Sequence, residues 1–220
     1  MDASLERRAR VHAALGDPIR LAIVDDLGVS DRAPAELGHR FGLASNLLAH
    51  HLDVLEHAGL IERTASAGDR RRRYVRLLHG PLEDSRNPVA VPSGLVLFVC
   101  THNSARSQLA AALWAARTGR PASSAGTHPT EVHPKAVAAA ERAGLDLTGA
   151  TAQHVDDAPD AALVVTVCDQ AHEALRPDAS WWHWSTPAPT AIGTDRAFDQ
   201  TVTLLDARIR AVTLPTAGVG

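Results

Sequence analysis

The sequence predicts two domains of different class: an α domain with a β wing, of winged helix-turn-helix form, then an α/β domain with a parallel sheet and a Cys-x5-Arg phosphate loop. Three observations carry this prediction. Residues 1–78 contain short amphipathic helical stretches followed by an arginine-rich segment of alternating polarity. His79–Gly94 has three prolines, two glycines and no periodicity, which is linker composition. From residue 95 to 220, apolar runs of strand length alternate with helical stretches, the pattern of a parallel sheet with crossovers. The expected boundaries are therefore 1–78, 79–94 and 95–220.

Composition narrows the class. A chain of 220 residues with 45% hydrophobic and 21% charged content is that of an ordinary globular protein. No run approaches the roughly 20 apolar residues of a membrane span, and the charged N-terminus has no apolar segment behind it. Two cysteines without framework spacing suit a reducing compartment, so a cytoplasmic protein that does not engage membrane is expected. Residues 1–78 carry 12 basic and 11 acidic side chains, and the remainder 10 and 14. Neither part binds polyanions by bulk charge, so any nucleic-acid contact needs a local patch.

In the first domain, Ser4 is expected to cap a helix with Leu5, Val11, Ala14 and Leu15 as its apolar positions. Asp17-Pro18 starts a second helix, Asp as N-cap and Pro in the first turn, running through Ile19 and Ile23 to a stop at Gly28. A third begins at Pro34 and ends at Gly42. A fourth covers Ser45–Ala58, with Leu48, Leu52 and Leu55 on one face. Leu60–Arg63, a turn at Gly68-Asp69, and Arg72–Leu77 then form a half-buried hairpin, in which Val75 and Leu77 alternate with Tyr74 and Arg76.

The segment Leu43–Leu60 resembles the recognition helix of the ArsR-type winged-helix repressors. The resemblance implies a homodimer on a double-stranded DNA operator, with early residues of the second helix reaching base edges. Those are Ser45, Asn46, Ala49 and His50, all off the leucine face. Arg70, Arg71, Arg72, Arg73 and Arg76 of the hairpin would grip phosphates or enter the minor groove. Relatives of this type often hold metal through cysteines, but residues 1–99 contain none, and adjacent His50 and His51 cannot share a helix face. No metal is expected, and His51 is read with His50 as part of the DNA-reading helix.

The second domain opens on Leu95–Ser107. A continuous apolar run ends at Cys100, a short polar loop carries Arg106, and an Ala/Leu-rich stretch reads as helical over Ser104–Arg117. Backbone N–H groups turned into such a loop, together with the helix dipole, make an anion site. A cysteine in that field is favoured as thiolate. Arg106 adds a planar fork matched to tetrahedral oxyanions. Further on, Ser123–Thr127 reads as strand and turn, Ala136–Ala143 as a helix entered at His133-Pro134, Leu163–Cys168 as a buried strand, and Trp181–Trp184 as a short strand. Thr194–Val212 reads as an amphipathic helix with Phe198, Val202, Leu205, Ile209 and Val212 in one stripe.

Cys-x5-Arg after a buried strand resembles the low-molecular-weight tyrosine phosphatases and the arsenate reductases that share their fold, and the form Cys-Thr-His-Asn-Ser-Ala-Arg-Ser-Gln is closer to the reductases. Ser124–Thr127, Val132–Ala136, Leu145–Gly149, Val164–Asp169 and His183-Trp184 continue it over about 120 residues. It implies Cys100 as nucleophile or arsenic-binding thiolate. Arg106, Asn103, Ser107 and the backbone of Thr101, His102, Ser104 and Ala105 would hold arsenate, arsenite or a phosphate-like oxyanion.

Two departures bear on the chemistry. Thioredoxin-coupled reductases of this fold use two further cysteines; Cys168 stands at the first place, but Leu175 holds the second, and Ala105 replaces the extra loop cysteine of many relatives. Cys168 is then a resolving thiol or second arsenic ligand. Otherwise an external thiol of thioredoxin, mycothiol or glutathione type must serve; no bound cofactor is implied. The family's general acid is an Asp after His-Trp, and here Ala188 stands in that place. Losing a positioned acid costs about 10²–10⁴-fold, which weighs against a tyrosine phosphatase and leaves open a domain that only senses an oxyanion, arsenic or an oxidant. Asp195 and Asp199, nearby in sequence, read as caps or solvated charge.

Overall fold

The computed structural model describes residues 3–78, 90–177 and 180–213. It contains two compact units, one built on residues 3–66 and 70–78 and the other on residues 67–69 and 90–213. Most of the expected linker, residues 79–89, lies outside the described residues.

The first unit has four helices, α1 (Ala3–Leu15), α2 (Pro18–Leu27), α3 (Pro34–Phe41) and α4 (Ser45–His57), then strands β1 (Ile61–Ala65) and β2 (Arg73–Leu77). Because α1 already includes Ala3, Ser4 lies inside the helix instead of capping it, and Leu5 is 52% exposed. The Asp17 side chain accepts the Arg20 N–H at 3.0 Å, satisfying one of the free donors of the first turn of α2. Glu36 reaches back to the Ala33 N–H at 2.7 Å and fixes the start of α3. Gly42 ends α3 at φ +63°, a left-handed conformation that glycine adopts without strain.

Strands β1 and β2 are antiparallel, with Ile61 opposite Leu77 and Ala65 opposite Arg73. Arg32 exchanges two backbone hydrogen bonds with Val75 and so tethers the α2–α3 connection to the hairpin. Ile23, Leu27, Leu37, Leu52, Leu55, Leu60 and Val75 meet in one core. Tyr74, expected on the open face, is buried, as are Val75 and Leu77. The alternation therefore misjudged this residue.

The second unit is a four-stranded parallel sheet in the order β4-β3-β5-β6: β3 (Val96–Cys100), β4 (Ala122–Gly126), β5 (Leu163–Thr166) and β6 (Trp182–His183). Helices α5 (Arg106–Thr118), α6 (Pro134–Arg142), α7 (Asp169–Leu175), α8 (Pro189–Ile192) and α9 (Asp195–Thr213) surround it. All five residues of β3 are buried, as its unbroken apolar run requires of an interior parallel strand. Phe98 lies 5.8 Å from the Trp114 ring and 5.9 Å from the Trp184 ring. Burying a side chain of that size is worth roughly 1.5–3 kcal/mol.

Several expected boundaries shift. Helix α5 starts at Arg106, leaving Ser104 in the loop; Cys168 lies beyond β5 as the N-cap residue of α7; Trp181 is outside β6. In α9, Phe198, Leu205, Ile209 and Val212 are buried together with Ala197, Thr201 and Arg208, while Val202 is half-buried. Asp195 and Asp199 pair with Lys135 at 3.1 Å and Arg142 at 2.6 Å, so both carboxylates are held by basic residues of α6. Among the described residues, no helix is long and apolar enough to cross a membrane.

Candidate functional site

The order β4-β3-β5-β6 places the reversal of the sheet between β3 and β5. In open α/β sheets, ligands bind at the carboxyl ends of the strands flanking such a reversal. Cys100 ends β3, and Val167 extends β5 by donating to the Val99 carbonyl at 2.8 Å. Topology thus brings the two cysteine-bearing strand ends side by side, although 67 residues separate Thr101 from Cys168 in sequence.

The loop from Cys100 to Arg106 closes around the sulfur. The Asn103 N–H donates to Cys100 Sγ at 3.2 Å, and Ser107 Oγ lies 3.0 Å from the same sulfur. Asn103 has φ +49°, a left-handed conformation costing about 1–3 kcal/mol and better tolerated by asparagine than by most residues. Its side chain shows how that conformation is held. Nδ2 donates to Ser107 Oγ at 2.8 Å and to Ser124 Oγ at 2.9 Å, while Oδ1 accepts the Gln153 N–H at 3.0 Å and Gln108 Nε2 at 3.2 Å. Because Ser107 Oγ accepts from Asn103, its own proton is free to point at Cys100 Sγ.

The rest of the loop is fixed by its backbone. The carbonyls of Cys100, Thr101, His102 and Ser104 accept the N–H groups of Thr127, His128, Thr130 and His133. Gly126 makes this close approach possible: a Cβ there would stand 2.7 Å from the Thr101 carbonyl oxygen and 2.8 Å from the Asn103 nitrogen. Ala105 is buried directly before α5, and His102 is exposed on the loop. Arg106 is 8% exposed, and its NH1 donates to the Thr186 carbonyl at 2.9 Å. This ties the guanidinium to the connection between β6 and α8. Ala188 starts that short helix and brings no carboxylate to it.

Cys168 bonds the loop at its edge, its Sγ lying 3.1 Å from Thr101 Oγ1, and Thr101 Oγ1 also donates to Gln170 Oε1 at 3.4 Å. Both cysteines are free and buried. Behind Cys168 lies a polar group that sequence reading left unassigned. His183 Nε2 is 3.1 Å from Asp169 Oδ1, and the His183 and His172 rings stack at 4.1 Å with Thr166 Oγ1 within hydrogen-bond reach of both Nδ1 atoms. Burial opposes the Asp169 charge, yet hydrogen bonds led by that from His183 outweigh it and hold the carboxyl below its ordinary range.

Of the residues that the sequence singled out, Asn103 and Ser107 lie against the Cys100 sulfur, and Arg106 begins the helix that follows the loop. Sequence reading gave no role to Ser124, Gln108, Gln153 or Gly126. The Ser-Ala-Gly-Thr segment carried a signal for two of them, and the glutamine after Ser107 for a third.

In the first unit, Ser45, Asn46, Ala49 and His50 are all exposed on α4. His51 is instead buried, 3.9 Å from Asp17, because its position turns with Leu48 and Leu55 towards the core. Arg70, Arg71, Arg72 and Arg73 are exposed. Arg76 departs from that group: it is half-buried and pairs with Glu62 at 2.6 Å across the hairpin. Among the described residues, no group of three or more His, Cys, Asp or Glu side chains is arranged to hold a metal.

Residues 95–213 match the family of low molecular weight phosphotyrosine protein phosphatases. The match spans more than half of the sequence, and the chain belongs to that family. A glutaredoxin arsenate reductase of Synechocystis sp. is 38% identical over 79 residues, 33% of this chain and 59% of that protein, so the chain spans less than two thirds of that relative's length. A tyrosine phosphatase of Erwinia amylovora superposes with a TM-score of 0.50 at 18% identity, over 56% of this chain and 93% of that one, a likeness of fold. An arsenate reductase in the phosphate binding state gives 0.45 at 24% identity, over 53% of this chain and 94% of that one.

Proposed function

We propose that the protein is a DNA-binding transcriptional regulator of arsenic resistance fused to an oxyanion-binding, arsenate reductase-like domain that uses Cys100 as its thiolate. The observation that carries the second half is the loop itself, with Cys100 Sγ facing the Asn103 N–H and the Ser107 hydroxyl. Arg106 and the loop N–H groups hold the oxyanion. Cys100 displaces one hydroxyl of arsenate, which leaves as water, and a sulfur–arsenic bond forms. A second thiol then attacks Cys100 Sγ; a disulfide forms, the sulfur–arsenic bond breaks, and arsenic keeps the electron pair as arsenite. Cys168, or an external thiol of thioredoxin, mycothiol or glutathione type, is that second thiol. The glutaredoxin arsenate reductase relative supports arsenate as the substrate.

The DNA half rests on α3 and α4 joined by a tight turn, on the exposure of Ser45, Asn46, Ala49 and His50, and on the exposed Arg70–Arg73 run beside the hairpin. In this reading α4 enters the major groove of an operator bound by a homodimer, and the arginines grip phosphates. The test follows arsenite formation by the purified protein, supplied with arsenate and each thiol donor in turn. Turnover with one donor supports the reductase; absence of turnover with every donor sinks it.

Ala188 and Leu175 favour a second reading, in which the domain binds arsenic, an oxyanion or an oxidant at Cys100 and only senses it. Cys100→Ser then abolishes the ligand response of operator binding and leaves binding by the free protein intact. Survival of the response in that variant defeats the sensor reading.

A further inference from the structure

We propose that Gln108 is a positioning residue for the oxyanion loop, holding Asn103 in its left-handed conformation through a side-chain amide that no other residue type reproduces. The inference rests on the oxyanion reading of the loop and extends it beyond the Cys-x5-Arg segment.

Gln108 is the third residue of α5 and is 5% exposed. A Gln or Glu at this position normally turns its side-chain oxygen back to accept the N–H of the N-cap residue. Gln108 does the reverse. Its Nε2 donates to the Asn103 carbonyl at 3.1 Å, Asn103 Oδ1 at 3.2 Å and the Thr151 carbonyl at 3.0 Å. The orientation of the amide follows from its surroundings. The Gln153 N–H marks one atom of the Asn103 amide as Oδ1, and the other two partners are backbone carbonyls. Nε2 therefore faces three acceptors and no donor.

Glutamate fits the same space, and its charge would suit the helix N-terminus better. It would, however, set a carboxylate against those three oxygens. The use of glutamine at a position where the helix dipole favours glutamate points to a demand for a donor. What that donor secures is the peptide of Asn103, whose N–H faces Cys100 Sγ at 3.2 Å and whose side chain orients the Ser107 hydroxyl. Gln108 also links the loop to Thr151, 43 residues on, in the segment that supplies the Gln153 N–H. The side chain acts on the reacting sulfur only through Asn103.

The test uses the full-length protein and inorganic phosphate or arsenate as the probe, measured by protection of Cys100 against alkylation and by thiolate ultraviolet absorbance. Wild-type protein is expected to be protected. Gln108→Met, which keeps length and removes the donor, is expected to need about tenfold more phosphate for the same protection and to show reduced thiolate absorbance. Gln108→Glu is expected to lose more. Protection and absorbance equal to wild type in both variants overturn the proposal, and so does a lowered melting temperature with both signals unchanged, which would mark a packing role. Should the variants fail to fold, the wild-type Gln108 side-chain amide supplies the readout by NMR: slow proton exchange and a shift on adding phosphate support the assignment, and fast exchange without a shift overturns it. Failure of phosphate and arsenate to protect the wild-type protein defeats the oxyanion reading and this proposal together. Protection of wild type with unaltered variants defeats only the role of Gln108.

Discussion

An arginine from each unit shows how differently the two candidate sites are built. Arg106 is 8% exposed and hydrogen-bonded to the Thr186 carbonyl, beside a loop in which both donors and both acceptor positions of the Asn103 amide are occupied. Arg72 is exposed in a run of four arginines. The first arrangement is preorganised. Its donors are already aimed and cost little to reorganise when charge arrives, and removal from water strengthens them. The second is a surface whose charge matters only against a polyanion and is screened by salt. Sites of the first kind fail when geometry is disturbed by a fraction of an ångström; those of the second kind fail gradually as charge is removed.

The sharpest way to break the contrast is Cys100→Ser. Arsenate-dependent thiol oxidation should fall to background in a coupled assay, while operator binding by the free protein, measured by gel shift, stays at the wild-type level. Next in size is Gly126→Ala, whose added methyl must push against the backbone of Thr101 and Asn103. Forcing that approach should cost about 1–3 kcal/mol of stability and on the order of a hundredfold in oxyanion affinity, read from denaturant melts and phosphate protection of Cys100. A variant with wild-type affinity shows that the loop is less tightly held than its hydrogen bonds imply.

On the exposed side, replacing Arg71 and Arg72 together should weaken DNA binding on the order of tenfold on every sequence and lower the salt slope by about one for each phosphate no longer neutralised. A salt slope identical to wild type would place the phosphate-binding residues elsewhere. Asn46→Ala should instead relax base preference by about fivefold to tenfold with little effect on the salt slope, measured by competition between operator variants.

The smallest expected effect concerns acid stability. The Asp169 carboxyl is held below its ordinary range: burial opposes the charge, but hydrogen bonds led by that from His183 prevail. Its folded value therefore lies below the unfolded one, so its contribution is present above about pH 3.9 and is lost as pH falls through the folded value. Asp169→Asn should flatten the dependence of stability on pH below about pH 4. Equal slopes for the two proteins in that range would mean that the carboxylate is not held as its hydrogen bonds indicate.

Local chemistry legible in sequence set much of this molecule. Asp17-Pro18, Pro34 and Gly42 mark helix ends because each acts through its own backbone and immediate neighbours. The buried run of β3 and the Cys100–Arg106 spacing likewise need no distant partner to be recognised. Misjudged residues were those whose state depends on what packs from afar. His51 is adjacent to His50 in sequence, but its Cβ points into the core. Tyr74 breaks the expected alternation by being buried beside Val75, and Arg76 is tied up by a cross-strand glutamate that a linear reading does not weigh.

The candidate site divides in the same way. By itself the sequence determined the strand, the loop that follows its cysteine and the helix behind it, because strand burial, loop length and helix initiation are short-range properties. Tertiary structure alone decided that Ser124 and Gln153 bond the Asn103 amide, that the Thr151 carbonyl accepts from Gln108, that Gly126 must lack a side chain, and that Cys168 meets Thr101. Those hydrogen bonds join segments 21 to 67 residues apart. They exist because the parallel order β4-β3-β5 gathers strand ends that the chain visits at long intervals, and hydrogen bonds between such ends are fixed by the register of the sheet.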